Sequence, residues 1–246
     1  MIASPRLRIV VCSALIAFLS ACGGSRQSPQ TRHYLQQLDG AIGQLDRDLL
    51  KEAAPKAPAL PTLSKEAAEA QAAELQNFSD LVKPYYAAVG KAVDRVLAVC
   101  DQAQSSTHAL DSAGADPAAV DLAERYTGLI DRRQQLAVNM AALVAAKQAE
   151  LARGYVPRFT LKVMDSGLSA LLSPSDRSAE GAGDLQPTAE EKAEMDSQAR
   201  TVQRAVAAWR SDAAAVAQAR ADLLDALKAK FPGDDWGFLA AKPAAP

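Results

Sequence analysis

Aromatic side chains are scarce in this 246-residue chain: two Trp, five Tyr and five Phe, 5% of the total. Threonine is sparse too, and a sequence so poor in strand-favouring residues does not read as a sandwich or barrel. Three cysteines are too few for a disulfide-stapled scaffold. No apolar run reaches the roughly 18 residues that a membrane-spanning helix needs. Neither sign of charge dominates, since 27 Lys and Arg face 29 Asp and Glu for a formal net charge of −2. What the chain does have is 49% apolar and 23% charged residues, enough for one or two globular domains and unlike a disordered chain. Alanine fills about a fifth of all positions, and its helix preference summed over long windows predicts an all-α protein.

Arg6 and Arg8 precede an uncharged apolar run from Ile9 to Phe18, the pattern of a cleaved export signal. The segment ends in Leu19-Ser20-Ala21-Cys22. This resembles the lipobox of bacterial lipoproteins: a branched apolar residue, two small residues, then an obligatory cysteine. The resemblance implies a diacylglyceryl group on the Cys22 thiol, cleavage between Ala21 and Cys22, and acylation of the new amino terminus. At about 0.8 kcal/mol per buried CH₂, two or three acyl chains hold a folded domain at a membrane almost permanently, whereas one does so reversibly. Gly23 stands where aspartate would imply retention at the inner membrane of Gram-negative cells. The same resemblance therefore implies the outer membrane, with the domain facing the periplasm.

Removing residues 1–21 takes away Arg6 and Arg8 and no acid, which moves the formal charge from −2 to −4. There is no basic patch interleaved with aromatics, so nucleic acid is not an expected partner. Cys12 lies in the discarded run and Cys22 is consumed by lipidation, which leaves Cys100 alone and without an internal disulfide partner. Its place in an apolar repeat reads as a small buried core residue, the alternative being an intermolecular disulfide. His33 and His108 belong to no metal-ligand spacing and read as surface residues, so neither a metal nor a cofactor is expected. No nucleophile elbow, P-loop or dinucleotide fingerprint is present. The acid pairs Glu190-Glu191 and Asp234-Asp235 read as solvated charges, and the chain reads as a non-enzyme. Were it an enzyme, Arg133, Tyr126, Asp165 and Arg158 would be the first positions to inspect.

Along the chain, residues 22–30 have the Gly/Ser/Pro/Gln composition of a flexible tether, and residues 31–246 form the domain. A first helix is predicted over Thr31–Glu52, followed by an extended connection bearing Pro55, Pro58 and Pro61. A second helical region starts near Leu63 and Ser64 and runs to about Ser106, with a kink or fresh start at Ser79-Asp80 because Pro84 falls inside it. Val82, Tyr86, Val89, Val93, Val96 and Cys100 make its seam. Asp116-Pro117 reads as an N-cap with proline at the first helical position. The long helix that follows carries one stripe through Leu122, Tyr126, Leu129, Leu136, Met140 and Leu143, and a second through Ile130, Ala137, Ala141 and Val144. Arg133 interrupts the first stripe and reads as a snorkelling side chain or a slightly drifting stripe, the alternative being a buried functional ion pair. Gly154 and Pro157 end that helix, a short one is predicted around Leu161–Leu172, and Ser173–Gln186 reads as a mobile loop. Thr188 and Glu191 form a capping box for a last helix to Phe231, with a seam from Met195 through Val202, Val206 and Trp209 to Val216, then Leu223 and Leu227 after Arg220. Trp236, Phe238 and Leu239 are expected to fold back onto the bundle.

These readings combine into an elongated antiparallel bundle of four or five helices, lipid-anchored and without a sheet. The order of lipobox, helix, the Leu60–Leu63 Leu-Pro-Thr-Leu element and an Ala/Gln-rich helical region resembles uncharacterised YiaF-like bacterial lipoproteins, a likeness that implies no activity. The expected role is a non-catalytic envelope lipoprotein that binds other envelope proteins or maintains the envelope. The alternative is a ligand-binding or transport-accessory lipoprotein with a pocket between its helices.

Overall fold

The computed structural model describes residues 6–59, 68–151, 158–177, 188, 189, 192 and 196–240, with side chains from residue 28 in the first helix, 76 in the second and 160 in the fourth. It is all-helical: α1 (Arg6–Leu50), α2 (Ala68–His108), α3 (Pro117–Glu150), α4 (Arg158–Leu172) and α5 (Ser197–Lys230), with a short 3₁₀ turn at Gly237–Leu239. Among the described residues there is no β-strand, and no helix is long and apolar enough to cross a membrane.

The seams read from the sequence are the buried faces. Val82, Tyr86, Val89, Val93, Val96 and Cys100 of α2, both α3 stripes save the half-covered Ala141, and Val202, Val206, Trp209, Ala213 and Val216 of α5 enter one core. α3 lies at its centre. Gln104 reaches Asp131 and Gln134 reaches Asp101, so α2 runs antiparallel to α3. Arg132 pairs with Asp212 and Lys230 with Asp116, so α5 does too.

The remaining layer is shared by two shorter helical segments. α1 runs parallel to α3, with Asp116 N–H donating to Thr31 at one end and Asp46 approaching Arg133 further along. α4 runs the other way, with Gly167 against Met140 and Ser173 against Arg133. At 1.5 Å per residue, α1 from Ser28 onward spans about 34 Å and α4 about 22 Å, together matching the roughly 50 Å of α3. The C-terminal ends of α1 and α4 therefore converge on Arg133.

Several local expectations need correction. The helix of α1 passes through 22–30, the stretch read as a tether; Ser28 is buried with its hydroxyl on Asp234, and Thr31 is fully covered. Packing from residue 28 outweighs the weak helix preference of Pro29 and its neighbours. α2 runs through Pro84 without a fresh start at Ser79-Asp80. Proline inside a helix costs about 3 kcal/mol. Its ring is exposed, and burial of Val82, Tyr85, Tyr86 and Val89 around it contributes about 1.5–3 kcal/mol each, which wins. A helical turn does follow Thr188, with Lys192 N–H on its carbonyl at 2.9 Å, and the long helix α5 is bounded separately at Ser197, where extended Asp196 caps it by accepting from Ala199 N–H at 2.7 Å and pairs with Lys147. Glu191 and Met195 lie outside the described residues, as do Leu60–Leu63, Gly154 and Pro157.

The α3 cap is as expected: Asp116 accepts from Ala118 N–H at 3.0 Å and Pro117 follows. In the preceding turn Gly114 has φ +78°, where any side chain would be strained and a Cβ would meet Gln30. The tail also folds back. Trp236 and Leu239 are buried, and Trp236 stacks obliquely between Phe231 at 6.2 Å and Phe238 at 6.4 Å.

Candidate functional site

A cation at a seam position should be expensive to bury, yet Arg133 is 1% exposed. The head does not snorkel to water; as in the alternative reading it is buried, and the bundle supplies partners for both terminal nitrogens while Nε is buried without one. Arg133 Nη2 donates to the Ser173 carbonyl at 2.5 Å, Nη1 donates to Ser175 Oγ at 3.3 Å, and the guanidinium stands 5.2 Å from the Trp209 ring centroid. Ser175 passes the charge on: its hydroxyl and its backbone N–H both donate to Asp46 Oδ1, at 2.9 and 2.8 Å. The end-to-end meeting of α1 and α4 adds two helix C-termini, each carrying partial negative charge, around one guanidinium. Desolvation still lowers the Arg133 pKa, and burial raises that of Asp46 despite its bonds to Ser175 and the nearby Arg133 charge.

This cluster fixes residues 173–177 as a turn, with Ser175 buried and Arg177 N–H on the Pro174 carbonyl at 3.1 Å. The first part of the segment read as a mobile loop is therefore a structural element; residues 178–187 lie outside the described residues.

A second buried arginine sits along α5. Arg220 Nε donates to the Leu239 carbonyl at 2.9 Å, Nη1 to Tyr126 Oη at 3.1 Å, and Nη2 to Asp39 at 2.8 Å and to the Phe238 carbonyl at 3.2 Å. It ties the tail, α3 and α1 to α5. Burial alone would lower its pKa, but Tyr126 and Asp39 raise it, so the cation is secure. Burial raises Tyr126 in spite of Arg220.

Between α1, α5 and the 173–177 turn lies a cleft of about 340 Å³, bordered by Asp39, Asp46, Asp176, Arg47, Arg177 and Arg220. The space exists because α1 leans on α2 and α3 while α5 leans on α3 and α4, leaving the flank between α1 and α5 thinly closed.

Of the four positions singled out from sequence, the structure brings Tyr126 to Arg220 and places Arg133 one hydroxyl from Asp46. Asp165 is exposed on α4, away from both, and the side chain of Arg158 lies outside the described residues. Cys100 is buried at 0% exposure, which pushes its thiol up to about 11, and His33 and His108 are exposed. Among the described residues no group of three or more His, Cys, Asp or Glu is placed to hold a metal ion. Cys22 is on the α1 backbone, and its side chain lies outside the described residues. Glu190 and Glu191 do too. Asp234 takes the Ser28 hydroxyl, and exposed Asp235 accepts from Gly237 N–H at 2.8 Å.

Sequence reasoning missed Asp39, Asp46, Ser175 and Arg220 as site residues. Asp39 and Asp46 are seven positions apart beside the α1 stripe, hence on one helix face, and Arg220 interrupts the α5 seam as Arg133 interrupts that of α3. Two arginines at seam positions with carboxylates flanking another seam is the pattern that signals such a site. Comparison with protein-family models, with curated proteins and with solved structures found no match to this chain.

Proposed function

We propose that this chain is a lipid-anchored, non-catalytic lipoprotein of the bacterial envelope, held through Cys22 at the periplasmic side of the outer membrane, whose bundle engages other envelope proteins. The observation that carries this reading is the lipobox Leu19-Ser20-Ala21-Cys22, set just ahead of Ser28, the first described side chain of α1, which is buried. Six helical residues from Cys22 to Ser28 amount to about 9 Å, so the end of the bundle bearing Asp116 and Asp234 stands close to the leaflet. Labelling cells with a palmitate analogue tests the anchor: label is expected on the wild type and absent from Cys22→Ala, and label on the variant overturns it. Crosslinking in the native envelope tests the partner, with one reproducible protein expected.

A second reading, a ligand-binding or transport-accessory lipoprotein, is favoured by the charged cleft between α1 and α5. Native mass spectrometry of the protein purified from its own envelope is expected to find a bound small molecule, lost in Gly43→Leu, which fills the cleft from α1.

A further inference from the structure

α1 and α5 flank the cleft, yet each is packed mainly on other helices, and the tail after α5 bridges them. The turn Gly237–Leu239 touches both. At one end the Ser28 hydroxyl of α1 donates to Asp234. At the other, Arg220 of α5 donates to the Phe238 carbonyl at 3.2 Å and to the Leu239 carbonyl at 2.9 Å, while the same guanidinium holds Asp39 of α1. Between these points Trp236 and Leu239 are buried. Residues 231–240 thus lie as a strap across the flank between α1 and α5.

The strap is fastened lightly by comparison with the helices. Leu239 N–H donates to the Trp236 carbonyl at 3.0 Å, Ala240 N–H to that of Gly237 at 3.1 Å, and Gly237 N–H to Asp235 at 2.8 Å. These bonds lie within the strap and are not what fastens it. Lifting it breaks the two bonds from Arg220, the one from Ser28 and a long 3.4 Å bond from the Trp236 indole to the Phe231 carbonyl, and it uncovers two large side chains. Freeing α1 instead would uncover Tyr34, Leu35, Leu38, Ile42, Leu45 and Leu49. Because apolar stabilisation scales with buried area, the strap is the element of this flank that opens at least cost. Its joint with α5 is also unencumbered: Pro232 and Gly233 are exposed, and a Cβ on Gly233 would meet no neighbour within 4 Å.

Lifting the strap changes the cleft. Arg220 and Asp39 border the cleft, and Arg220 is also where the strap is held, so the strap walls off that end. With the strap in place the space is about 340 Å³, at the small end of ligand sites. With it lifted, the opening continues along α1 from Asp39 back to Ser28, about 16 Å at 1.5 Å per residue. Arg220 Nε then loses the Leu239 carbonyl and offers its hydrogen bond to an entering molecule.

We infer that residues 231–240 are a releasable strap that turns about Pro232 and Gly233 while the five helices stay packed, and that its release opens the cleft into a groove along α1. The use of that opening, admitting a molecule to the cleft, rests on the second reading above. The motion itself does not.

Thiol labelling of the full chain in detergent micelles tests the release. Leu239→Cys places a thiol at a buried position of the strap, and Cys100, fully covered in the core, is the reference within the same molecule. Each rate with iodoacetamide is divided by the rate of the same thiol in denaturant. On that scale Leu239→Cys is expected to be protected roughly tenfold or more, yet to react roughly a hundredfold or more faster than Cys100. Adding Ser28→Ala should speed its labelling roughly tenfold, as loss of a hydrogen bond to a charged group does, and leave Cys100 unchanged. Deuterium exchange on the wild type, which needs no substitution, should show the same order, with the Leu239 and Ala240 amides ahead of those of α3. The inference is overturned if Leu239→Cys reacts no faster than Cys100, since the tail then opens only with the whole fold. It is equally overturned if that thiol reacts as fast as in denaturant, since nothing then straps it, or if Ser28→Ala leaves its rate unchanged. Should Leu239→Cys fail to fold, seen as a reactive Cys100, the deuterium comparison decides in the same terms. No ligand enters these measurements, so an empty cleft by mass spectrometry removes the ligand-binding reading and leaves the strap, and a failed labelling test does the reverse.

Discussion

Arg133 of α3 and Asp46 of α1 are joined through one hydroxyl: Ser175 Oγ accepts from the guanidinium at 3.3 Å and donates to the carboxylate at 2.9 Å. Removing one charge from such a buried set strands the other. Arg133→Ala is expected to cost about 3–5 kcal/mol, read as a fall in the urea midpoint. Arg133→Met combined with Asp46→Asn removes both charges and should recover much of that loss. An additive double variant would show that the two residues are not coupled.

The Asp46 carboxyl, raised chiefly by burial, sets a pH dependence of definite sign. The folded chain takes up this proton before the unfolded chain does. The penalty for the charged form is complete at neutral pH and fades as pH falls through the folded-state pKa toward the ordinary carboxylate range. Wild type should therefore gain stability relative to Asp46→Asn between about pH 7 and about pH 4. Parallel unfolding curves across that window check it.

Asp116 acts in the opposite sense. The hydrogen bond from Lys230 holds its carboxyl below the ordinary range, burial opposes this, and the Ala118 N–H adds to the lowering. Its contribution is present above the usual carboxylate pKa and disappears as pH drops through the lower folded-state value. Asp116→Ala should cost about 1 kcal/mol at neutral pH for the lost cap, and less in strong acid. Denaturant titrations at the two pH values measure both.

Gly167 lets α4 approach α3, and a Cβ there would meet the Met140 thioether. Gly167→Ala is expected to cost about 1–3 kcal/mol through overpacking, although alanine is the better helix former. A higher melting temperature for the variant would contradict this close approach.

Cys100 is fully covered and its thiol is pushed up to about 11 by burial, which the Arg133 charge only partly offsets. Iodoacetamide at mildly alkaline pH should leave the native protein unlabelled and label it completely in denaturant, as followed by intact mass.

The helices were legible because their seams repeat at helical spacing, and burial follows the Val82-to-Cys100 and Val202-to-Val216 series residue for residue. Boundaries were less so. The helical turn after Thr188 was legible, but the second cap at Asp196 was not, because Lys147, a buried lysine from another helix, meets it there, and no local pattern announces a distant partner. Arg133 and Arg220 were visible as interruptions of seams. Their burial depends on Ser173, Ser175, Asp39 and the tail carbonyls, which the fold brings in from far along the chain. The cleft could not be read at all, since it arises from how α1 and α5 lean on different neighbours.

Ser28 donates to Asp234, so opposite ends of the polypeptide complete the same end of the bundle. This hydrogen bond, which spans 206 positions, lies close to the proposed acyl group. During synthesis α1 must wait, only partly housed, until the last helix and the residues after it have emerged to receive it. Assembly of this molecule should accordingly be governed by the arrival of residues 197–239, and a ribosome stalled before Asp234 would leave α1 without its closing partner.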